Sequence, residues 1–313
     1  MKIVFMGTPD YAVATLKALY ENGHEIAAVF CQPDKPVGRK QILTPPPVKQ
    51  FANENNITVY QPQSLRNEES VALIKEINPD VIVVVAYGKL LPESILNIPK
   101  YGAVNGHASL LPKYRGASPI QWAIVCGEKE TGVTTMLMDK GLDTGDILLT
   151  AKTNIGENET AEELFDRLCV LTADLMLETI SKLPKGEIAP IKQDDEKASY
   201  APIIKKEMGA LDFNKTATEL KNLVYGFNSW PVAYTFLNGK RLKVFTAEIG
   251  EKTGKENGTV VSLENGILVA CGGGTTLRLL DVQLESSKRM KSTELLKGHS
   301  VNIGDKLGEE ING

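Results

Sequence analysis

Strand-like and helix-like hydrophobic patterns alternate along the chain before residue 184. KIVFM (2–6) predicts a short strand, and residues 10–23 place apolar side chains at helical spacing before an Asn-Gly stop. Residues 24–30 predict a second strand, and PDVIVVVA (79–86) is a continuous apolar run, which is typical of a strand buried on both faces of a parallel sheet. This order predicts an α/β fold with a doubly wound, mostly parallel, Rossmann-like sheet, and ligands bound beyond the carboxyl ends of its strands.

Further strands and a long helix complete this region. GAVNG (102–106) predicts the next strand, and residues 132–139 and 146–153 predict a late pair of strands. The helical pattern over 160–183 begins with a capping box. Shorter elements are expected at 47–55 (helix), 57–60 (strand) and 67–77 (helix).

The pattern changes after residue 183. Residues 184–208 are polar and aperiodic, and a helix is expected near 215–226, followed by short strands separated by turns. Asn238-Gly239 between two alternating runs predicts a hairpin. Because 313 residues exceed what one core usually covers, we expect two domains. The predicted division is a catalytic domain over 1–189, a linker over 190–208, and a smaller, partly open, OB-like C-terminal β-barrel over 209–313.

The composition is that of an ordinary soluble globular protein. The chain is 42% hydrophobic and 24% charged, with a net charge of −4, which opposes wholesale coating of nucleic acid but permits local basic patches. No apolar run is long enough to span a bilayer, and the N-terminus lacks a signal-peptide pattern. The four cysteines show no metal-ligand spacing. We therefore expect a cytoplasmic protein with reduced thiols, no metal, no membrane partner and no DNA partner.

Asn105 and His107, near the end of a predicted strand, are the most informative pair of side chains. Two residues apart on an extended strand, they point to the same side. The amide offers a neutral N–H donor for a developing oxyanion, and the imidazole is the side chain best suited to move a proton near neutral pH. A buried histidine capped by a neighbouring amide would have the same spacing, so the pair alone does not separate a structural from a catalytic role.

A second stretch, MDKGLDTGDILL (138–149), places Asp139, Asp143 and Asp146 around two glycines. A polar hairpin turn would account for this composition, and the spacing does not match a calcium loop. The functional hypothesis is that one of these carboxylates orients His107 and stabilises its imidazolium form.

Several segments together resemble the 10-formyltetrahydrofolate-dependent formyltransferases and, within them, the methionyl-tRNA formyltransferase family. They are NGHASLLPKYRGASPIQWAI, ETGVTTMLMDKGLDTGDIL, FMGTPDYA and VVVAYGKLLP, with FNSWPVAYT and KRMKSTELLKG resembling the C-terminal domain of the same family. The resemblance runs nearly end to end. One departure is Gly106, where a β-branched residue is expected, and we expect it to loosen the strand locally.

The resemblance implies both the reaction and the site. It implies an enzyme that transfers a formyl group from 10-formyltetrahydrofolate, as co-substrate, to the free amino group of methionyl-initiator tRNA for translation initiation. Asn105, His107 and Asp143 match the catalytic residues of the family. The folate-binding residues that it implies are Ser109, Leu110, Leu111, Pro112, Val85, Tyr87 and Gly88.

Loop 31–50 and a basic cluster in the C-terminal domain are the expected contacts for the initiator tRNA. In the resembling family, a basic insertion at this loop enters the acceptor end of the tRNA. Contacts from Arg and Lys to phosphate give affinity without reading sequence. The loop holds five prolines and little apolar material, so we expect it to be mobile without RNA. The predicted tRNA-binding residues are Lys35, Arg39, Lys40, Lys288, Arg289 and Lys291.

Three alternatives remain open at this point. A formyltransferase acting on a nucleotide-linked amino sugar would share the Asn-x-His and Asp motifs, but a small substrate gives no reason for the basic loop 31–50. A formyltetrahydrofolate hydrolase usually carries a different N-terminal domain. A non-catalytic RNA-binding protein on the same fold would predict that the three catalytic residues are disrupted.

Overall fold

The computed structural model describes residues 1–38 and 40–308, which form two compact units. The first unit comprises Met1–Pro119, Glu130–Asn154 and Phe165–Pro202. The second contains two short segments from the N-terminal half, residues 120–129 and 155–164, together with the chain from Ile203 onward. The domain boundaries at residues 189 and 208 remain a prediction.

The strands and helices predicted before Ile203 occur in the predicted order, and the described residues add four short strands and two short α-helices that were not predicted. The strands are β1 (Lys2–Gly7), β2 (Glu25–Phe30), β3 (Lys35–Val37), β4 (Ile42–Thr44), β5 (Val59–Tyr60), β6 (Val81–Val85), β7 (Ala103–His107), β8 (Arg115–Gly116), β9 (Glu130–Leu137), β10 (Ile147–Asn154) and β11 (Tyr200–Ala201). The helices are α1 (Asp10–Glu21), α2 (Pro47–Glu54), α3 (Glu68–Ile77), α4 (Glu93–Leu96), α5 (Pro119–Val125) and α6 (Ala161–Lys182).

The main sheet of the first unit has the strand order β10-β9-β7-β6-β1-β2-β5. From β7 to β5 neighbouring strands are parallel, whereas β9 runs antiparallel to β7 and β10 antiparallel to β9. All five residues of β6 are buried, as the continuous apolar run in the sequence predicts for a central strand covered on both faces. The predicted doubly wound α/β fold is confirmed.

Strand β7 presents different side chains to the two faces of the sheet. Asn105 and His107 lie on one face, and Gly106 faces helix α6 on the other. A Cβ atom at Gly106 would lie 2.8 Å from Cγ2 of Thr172 and 3.3 Å from Cε of Met176. The glycine therefore permits a close approach of α6. The expected loosening is absent, because β7 stays paired with β9 on both sides of Gly106.

The segment predicted as an irregular loop over 31–50 contains a small hairpin. Strands β3 and β4 pair antiparallel, and the amide of Gln41 donates to the carbonyl of Gly38 across the turn, at 3.2 Å. At the base of this hairpin Lys49 Nζ lies 2.8 Å from Asp34 Oδ1 and 2.8 Å from Gln61 Oε1. The hairpin exposes the apolar side chains of Val37, Ile42 and Leu43. Its mobility without RNA stays a prediction.

The polar segment after α6 is packed against the first unit. Ile191 forms an antiparallel bridge with Ile147, and Gln193 is buried. Further along, β11 pairs in parallel with β8. We call residues 190–202 the strap.

The second unit is built on an antiparallel sheet. Its strands are β12 (Ala233–Leu237), β13 (Lys240–Ile249), β14 (Val260–Ser262), β15 (Ile267–Ala270), β16 (Thr276–Leu284) and β17 (Met290–Lys291), with helices α7 (Ala217–Gly226) and α8 (Ser292–Gly298). The order is β12-β13-β16-β15-β14, and β17 pairs with β16. Asn238 and Gly239 have φ of 50° and 73°, as a type I′ turn requires, so the predicted hairpin is confirmed. The sheet forms the half-barrel expected for this region.

Candidate active site

The structure brings Asn105, His107 and Asp143 together in the first unit. The two β7 side chains project from the same face, and Asp143 lies in the loop between β9 and β10. Asn105 Nδ2 is 3.4 Å from Asp143 Oδ1, and His107 Nδ1 is 3.7 Å from Asp143 Oδ2. An amide donor, an imidazole and a carboxylate thus meet at one point, as the sequence pattern predicts.

The ring of His107 is oriented by the backbone carbonyl of Tyr114. His107 Nε2 lies 2.9 Å from this oxygen, inside a buried environment. A carbonyl can only accept a hydrogen bond, so the proton of a neutral ring belongs on Nε2. Nδ1, the nitrogen that faces Asp143, is therefore the one left for chemistry. Side-chain patterns in the sequence could not reveal a partner that belongs to the backbone.

The carboxylate of Asp143 is held from the other side by strand β8. The amide of Gly116 donates to Asp143 Oδ2 at 2.8 Å. The side chains of His107 and Asp143 are only 7% and 12% exposed. Interactions between polar groups are stronger in such a desolvated site than in water. The arrangement can therefore hold a charged imidazole and a neutral amide donor in fixed positions.

The loop that carries Asp143 does not begin at the carboxyl ends of the parallel strands, where the fold class predicts that ligands bind. Because β9 runs antiparallel to β7, the loop that follows β9 begins beside the first residues of β7. There the amide of Met138 donates to the carbonyl of Ala103 at 2.8 Å. The loop reaches Asn105 and His107 across the face of the sheet. A Cβ atom at Gly145 would overlap the carbonyl of Leu137, so this crossing requires glycine.

The loop that the resemblance assigns to folate, Ser109–Pro112, directly follows β7. Ser109 is buried, and its hydroxyl donates to the carbonyl of Lys113 at 2.7 Å. Thr134 Oγ1 donates to the carbonyl of Ser109 at 2.7 Å and accepts from the amide of Leu111 at 3.1 Å. Leu110 and Pro112 are half-buried. Thr134 of β9 thus holds the loop at two backbone positions.

The second predicted folate segment, Val85–Gly88, follows the neighbouring strand β6. The Val85 side chain lies on the face of Gly106, opposite Asn105 and His107. Tyr87 is buried in the core, and burial raises the pKa of its hydroxyl to about 12. Its carbonyl accepts from Thr8 Oγ1 and from a side-chain amide, each at 3.1 Å. Gly88 is exposed, with φ of +82° and open space around it.

Two residues that sequence reasoning missed complete the surroundings of Asp143. Arg115 and Gln193 are buried, and Gln193 Oε1 lies 3.1 Å from Arg115 Nε and 2.8 Å from Arg115 Nη2. Gln193 Nε2 donates to the carbonyls of Asp143 at 2.9 Å and Gly145 at 2.6 Å. Gln193 lies in a polar, aperiodic segment, so no sequence signal marked it.

Within the described residues, the predicted tRNA-binding side chains are exposed, two of them in the first unit and three in the second. Lys35 and Lys40 of the β3–β4 hairpin are exposed and have no ion-pair partner within residues 1–38 and 40–308. Arg39 lies outside the described residues. Lys288, in the second unit, is also exposed.

In the second unit, Arg289 and Lys291 share one carboxylate. Arg289 Nη2 and Lys291 Nζ lie 3.5 Å and 3.0 Å from Asp281. Burial opposes ionisation of Asp281, but hydrogen bonds from Lys291 and Thr246 lower its pKa overall. The positive charge of this cluster is therefore partly neutralised within the chain.

Neither a metal centre nor a membrane-spanning helix occurs in the described part of the chain. Across residues 1–38 and 40–308, no three His, Cys, Asp or Glu side chains are grouped so that they could hold a metal ion. Nor is any helix in those ranges both long and apolar enough to cross a membrane.

Comparison with known sequences identifies the family. The sequence model described as "Formyl transferase" matches residues 1–180, and that described as "Formyl transferase, C-terminal domain" matches residues 203–300. A methionyl-tRNA formyltransferase of Caldanaerobacter subterraneus subsp. tengcongensis is 51% identical over 306 residues, which cover 97% of this chain and 99% of that protein. One from Clostridium novyi is also 51% identical, with 97% and 98% covered.

Solved structures support the fold. WlaRD, a sugar 3N-formyl transferase crystallised in the presence of dTDP and 5-N-formyl-THF, superposes with a TM-score of 0.67 at 22% identity, covering 92% of this chain and 99% of that one. The N-formyltransferase from Helicobacter canadensis, in complex with folinic acid and dTDP-3-aminofucose, gives 0.66 at 21% identity, covering 89% and 98%. At such low identity, these structures bear on the fold alone.

The fold and the matched regions together define an enzyme that transfers formyl groups. The chain belongs to the formyl transferase family, and its resemblance to the methionyl-tRNA formyltransferases is confirmed by the relatives that are 51% identical over nearly their full length.

Proposed function

We propose that this protein transfers a formyl group from 10-formyltetrahydrofolate to the free amino group of methionyl-initiator tRNA. The observation that carries the proposal is the 51% identity to methionyl-tRNA formyltransferases over 97% of the chain, which includes both matched domains. The meeting of Asn105, His107 and Asp143 supports it independently, since these are the groups that formyl transfer needs.

The residues available for the folate fit a flat heterocycle. Ala86 and Gly88 are exposed at the end of β6, and the loop Ser109–Pro112 begins at the end of the adjacent strand β7. Both segments offer backbone donors and acceptors at one edge of the sheet, where ligands of such folds bind. We therefore assign the pterin to these two segments. When bound, 10-formyltetrahydrofolate supplies the formyl group and takes up a proton at the nitrogen that departs.

Asn105 and His107 stabilise the charge that develops when the methionyl amine adds to the formyl carbon. The oxygen of that carbon becomes negative, and the Asn105 amide donates to it from a fixed position. Because Nε2 of His107 is engaged by the Tyr114 carbonyl, the ring acts through Nδ1. A protonated imidazole adds a charge-assisted hydrogen bond to the same oxygen.

Asp143 completes the proton balance. Its carboxylate stabilises the imidazolium form of His107 and lies where it can receive the proton that the amine loses. The bond to the methionyl nitrogen forms first and leaves the negative charge on the formyl oxygen. When this charge collapses back to a carbonyl, the bond between the formyl carbon and the folate nitrogen breaks, and one proton passes in all from the amine to the departing nitrogen. No redox step is involved.

Recognition of the tRNA falls to exposed cations of the hairpin and of the second unit. Lys35 and Lys40 carry charges that no carboxylate in the described residues neutralises, so they are free for phosphate. Arg39 lies between these two lysines in the sequence. Arg289 and Lys291 share the carboxylate of Asp281. We therefore expect each of them to contribute less to tRNA affinity than each lysine of the hairpin.

The molecule that accepts the formyl group distinguishes this proposal from its nearest alternative, a formyltransferase that acts on a nucleotide-linked amino sugar. Purified protein is mixed with 10-formyltetrahydrofolate and, in parallel reactions, methionyl-initiator tRNA or a dTDP-linked amino sugar. We expect formyl-methionyl-tRNA in the first reaction and no formylated sugar in the second. Formylation of the sugar without formylation of the tRNA would replace the proposed substrate.

A further inference from the structure

The strap places one glutamine against the loop that carries Asp143. Gln193 is 6% exposed and lies between two groups of opposite hydrogen-bonding character. On one side, Nε and Nη2 of Arg115 donate to Oε1 of Gln193 at 3.1 Å and 2.8 Å, and a guanidinium can only donate. On the other side Nε2 of Gln193 reaches the carbonyls of Asp143 and Gly145 at 2.9 Å and 2.6 Å, and carbonyls can only accept.

These hydrogen bonds fix the orientation of the Gln193 side-chain amide and favour glutamine at this position. The guanidinium requires an oxygen and the two carbonyls require N–H groups, so the amide fits in one orientation only. A glutamate at position 193 would satisfy Arg115 but turn an oxygen against two carbonyl oxygens. An apolar residue would leave Arg115 and both carbonyls without these partners in a buried place, which is costly.

The backbone that Gln193 holds is one that needs support. Asp143 is not a glycine, yet its φ is +54°, in the left-handed region. Such conformations persist where the surrounding structure holds them. The amide of Gly116, adjacent to Arg115, binds the Asp143 carboxylate at 2.8 Å, so the same short strand β8 secures both the side chain of Asp143 and the amide of Gln193.

Arg115 is in turn anchored from the strap. It is 2% exposed, and its Nη2 lies 2.8 Å from Asp195 Oδ1, a carboxylate whose side chain is 78% exposed. The backbone of β8 is also supported by the strap, since the amide of Arg115 donates to the carbonyl of Ser199 at 2.8 Å. Gln193 is therefore the buried link between the strap, β8 and the Asp143 loop.

We propose that Gln193 is a positioning residue for formyl transfer, which holds the Asp143 carboxylate in register with His107 through the backbone carbonyls of Asp143 and Gly145. The expected effect on the transfer rate rests on the proposed function. The hydrogen bonds through which Gln193 holds the Asp143 loop do not depend on it. Gln193 touches neither substrate nor the reacting atoms, so its loss changes the chemical step and not the binding of either substrate.

The kinetic test compares Gln193→Ala and Gln193→Glu with wild type. Misplacement of a catalytic group by about 1 Å costs on the order of 100-fold in rate, so we expect kcat to fall about 10- to 100-fold in both variants, with the KM values for folate and tRNA unchanged. Gln193→Glu keeps the size and the acceptor for Arg115 but replaces the N–H groups with a carboxylate oxygen that faces the carbonyls of Asp143 and Gly145. In an Asp143→Asn background, Gln193→Ala should cause no further loss of kcat.

A second readout needs no substrate. Hydrogen exchange of the Gly116 amide reports its bond to the Asp143 carboxylate, and we expect this amide to lose protection in both Gln193 variants. Glu196→Gln, an exposed change in the same strap, is the matched control and should keep wild-type exchange and kcat.

The two readouts together decide the proposal. Loss of both kcat and Gly116 protection supports it, and retention of either one overturns it, as does a Gln193→Ala effect that multiplies with Asp143→Asn. If the wild-type protein forms no formyl-methionyl-tRNA, the proposed function fails, and the exchange result alone still decides whether Gln193 positions Asp143.

Discussion

The candidate active site and the β3–β4 hairpin are built in opposite ways within the same unit. Asn105 and His107 are buried, and backbone groups from β8 and its neighbours fix the ring of His107 and the carboxylate of Asp143. Residues 35–38 and 40–43 of the hairpin are exposed, and the ion pair between Lys49 and Asp34 lies at its base.

This difference in burial matches two different tasks, formyl transfer at the buried site and tRNA binding at the exposed hairpin. Charge stabilisation in a transition state requires groups that are preorganised and desolvated. Attraction of a polyanion requires exposed cations whose charge is not already neutralised. The comparison predicts that changes at the buried centre act on the rate of transfer, and that changes at the hairpin act on tRNA binding and its salt dependence.

Asp143→Asn provides the largest expected effect. The variant keeps the shape of the side chain but removes the charge that stabilises the imidazolium form of His107, so turnover should fall at least ~100-fold, the scale of a positioned acid–base group. Steady-state formylation of methionyl-tRNA measures it, with thermal unfolding as the check that the fold survives. Turnover close to wild type would show that the buried carboxylate takes no part in the chemistry.

Gly106→Val tests how tightly the strand of the active site is packed. The new side chain would meet Cγ2 of Thr172 on α6, and overpacking of a core typically costs about 1–3 kcal/mol in the free energy of unfolding. Urea denaturation provides the measurement.

Thr172→Ser is the matched rescue for this change. It removes Cγ2 but keeps the hydroxyl that lies 2.6 Å from Tyr11 OH, so the double variant should regain part of the lost stability. Gly254→Ala, at a glycine with no atom within 4 Å of the added Cβ, should cost little. Equal destabilisation by Gly106→Val with and without Thr172→Ser would exclude this contact as the cause.

Much of this architecture could be predicted because its signals are local. Asn105 and His107 lie near the end of a predicted strand, and their two-residue spacing fixes a common face. Asp143 is one of three carboxylates in a glycine-containing stretch, and the family resemblance distinguishes it from Asp139 and Asp146. In each case the residue type and its neighbours in sequence carry the information.

The parts that could not be predicted depend on partners distant in sequence. Gln193 has no periodic pattern around it, and its role arises from contacts with Arg115 and two carbonyls some 50 to 80 positions away. The carbonyl of Tyr114 that orients His107 is a backbone group, which every residue has. The hairpin was missed because Pro36 lies inside its first strand, and proline within a strand pattern argues against a strand unless it lies at an edge.

The hairpin cations give the smallest expected effect. Replacing Lys35 and Lys40 by alanine should weaken tRNA binding and reduce the slope of log K against log salt by roughly one unit for each phosphate that is no longer neutralised. Affinity for folate should not change. Filter binding at several salt concentrations measures the slope.

The control for the hairpin removes the same charge elsewhere in the first unit. Lys75 and Lys185 are exposed, and their replacement by alanine should leave the salt slope near that of wild type. If the Lys35/Lys40 variant and this control give the same slope, the hairpin does not bind phosphate.

Single-turnover formyl transfer by His107→Asn tests the central claim most directly, with 10-formyltetrahydrofolate and methionyl-initiator tRNA both saturating. Asparagine keeps a polar side chain at the end of β7 but cannot carry the charge or move the proton. We predict a rate constant at least ~100-fold below wild type, the scale of a lost acid–base group, with the affinities for folate and tRNA unchanged. A single-turnover rate close to wild type would contradict the assignment of Asn105, His107 and Asp143 as the catalytic residues.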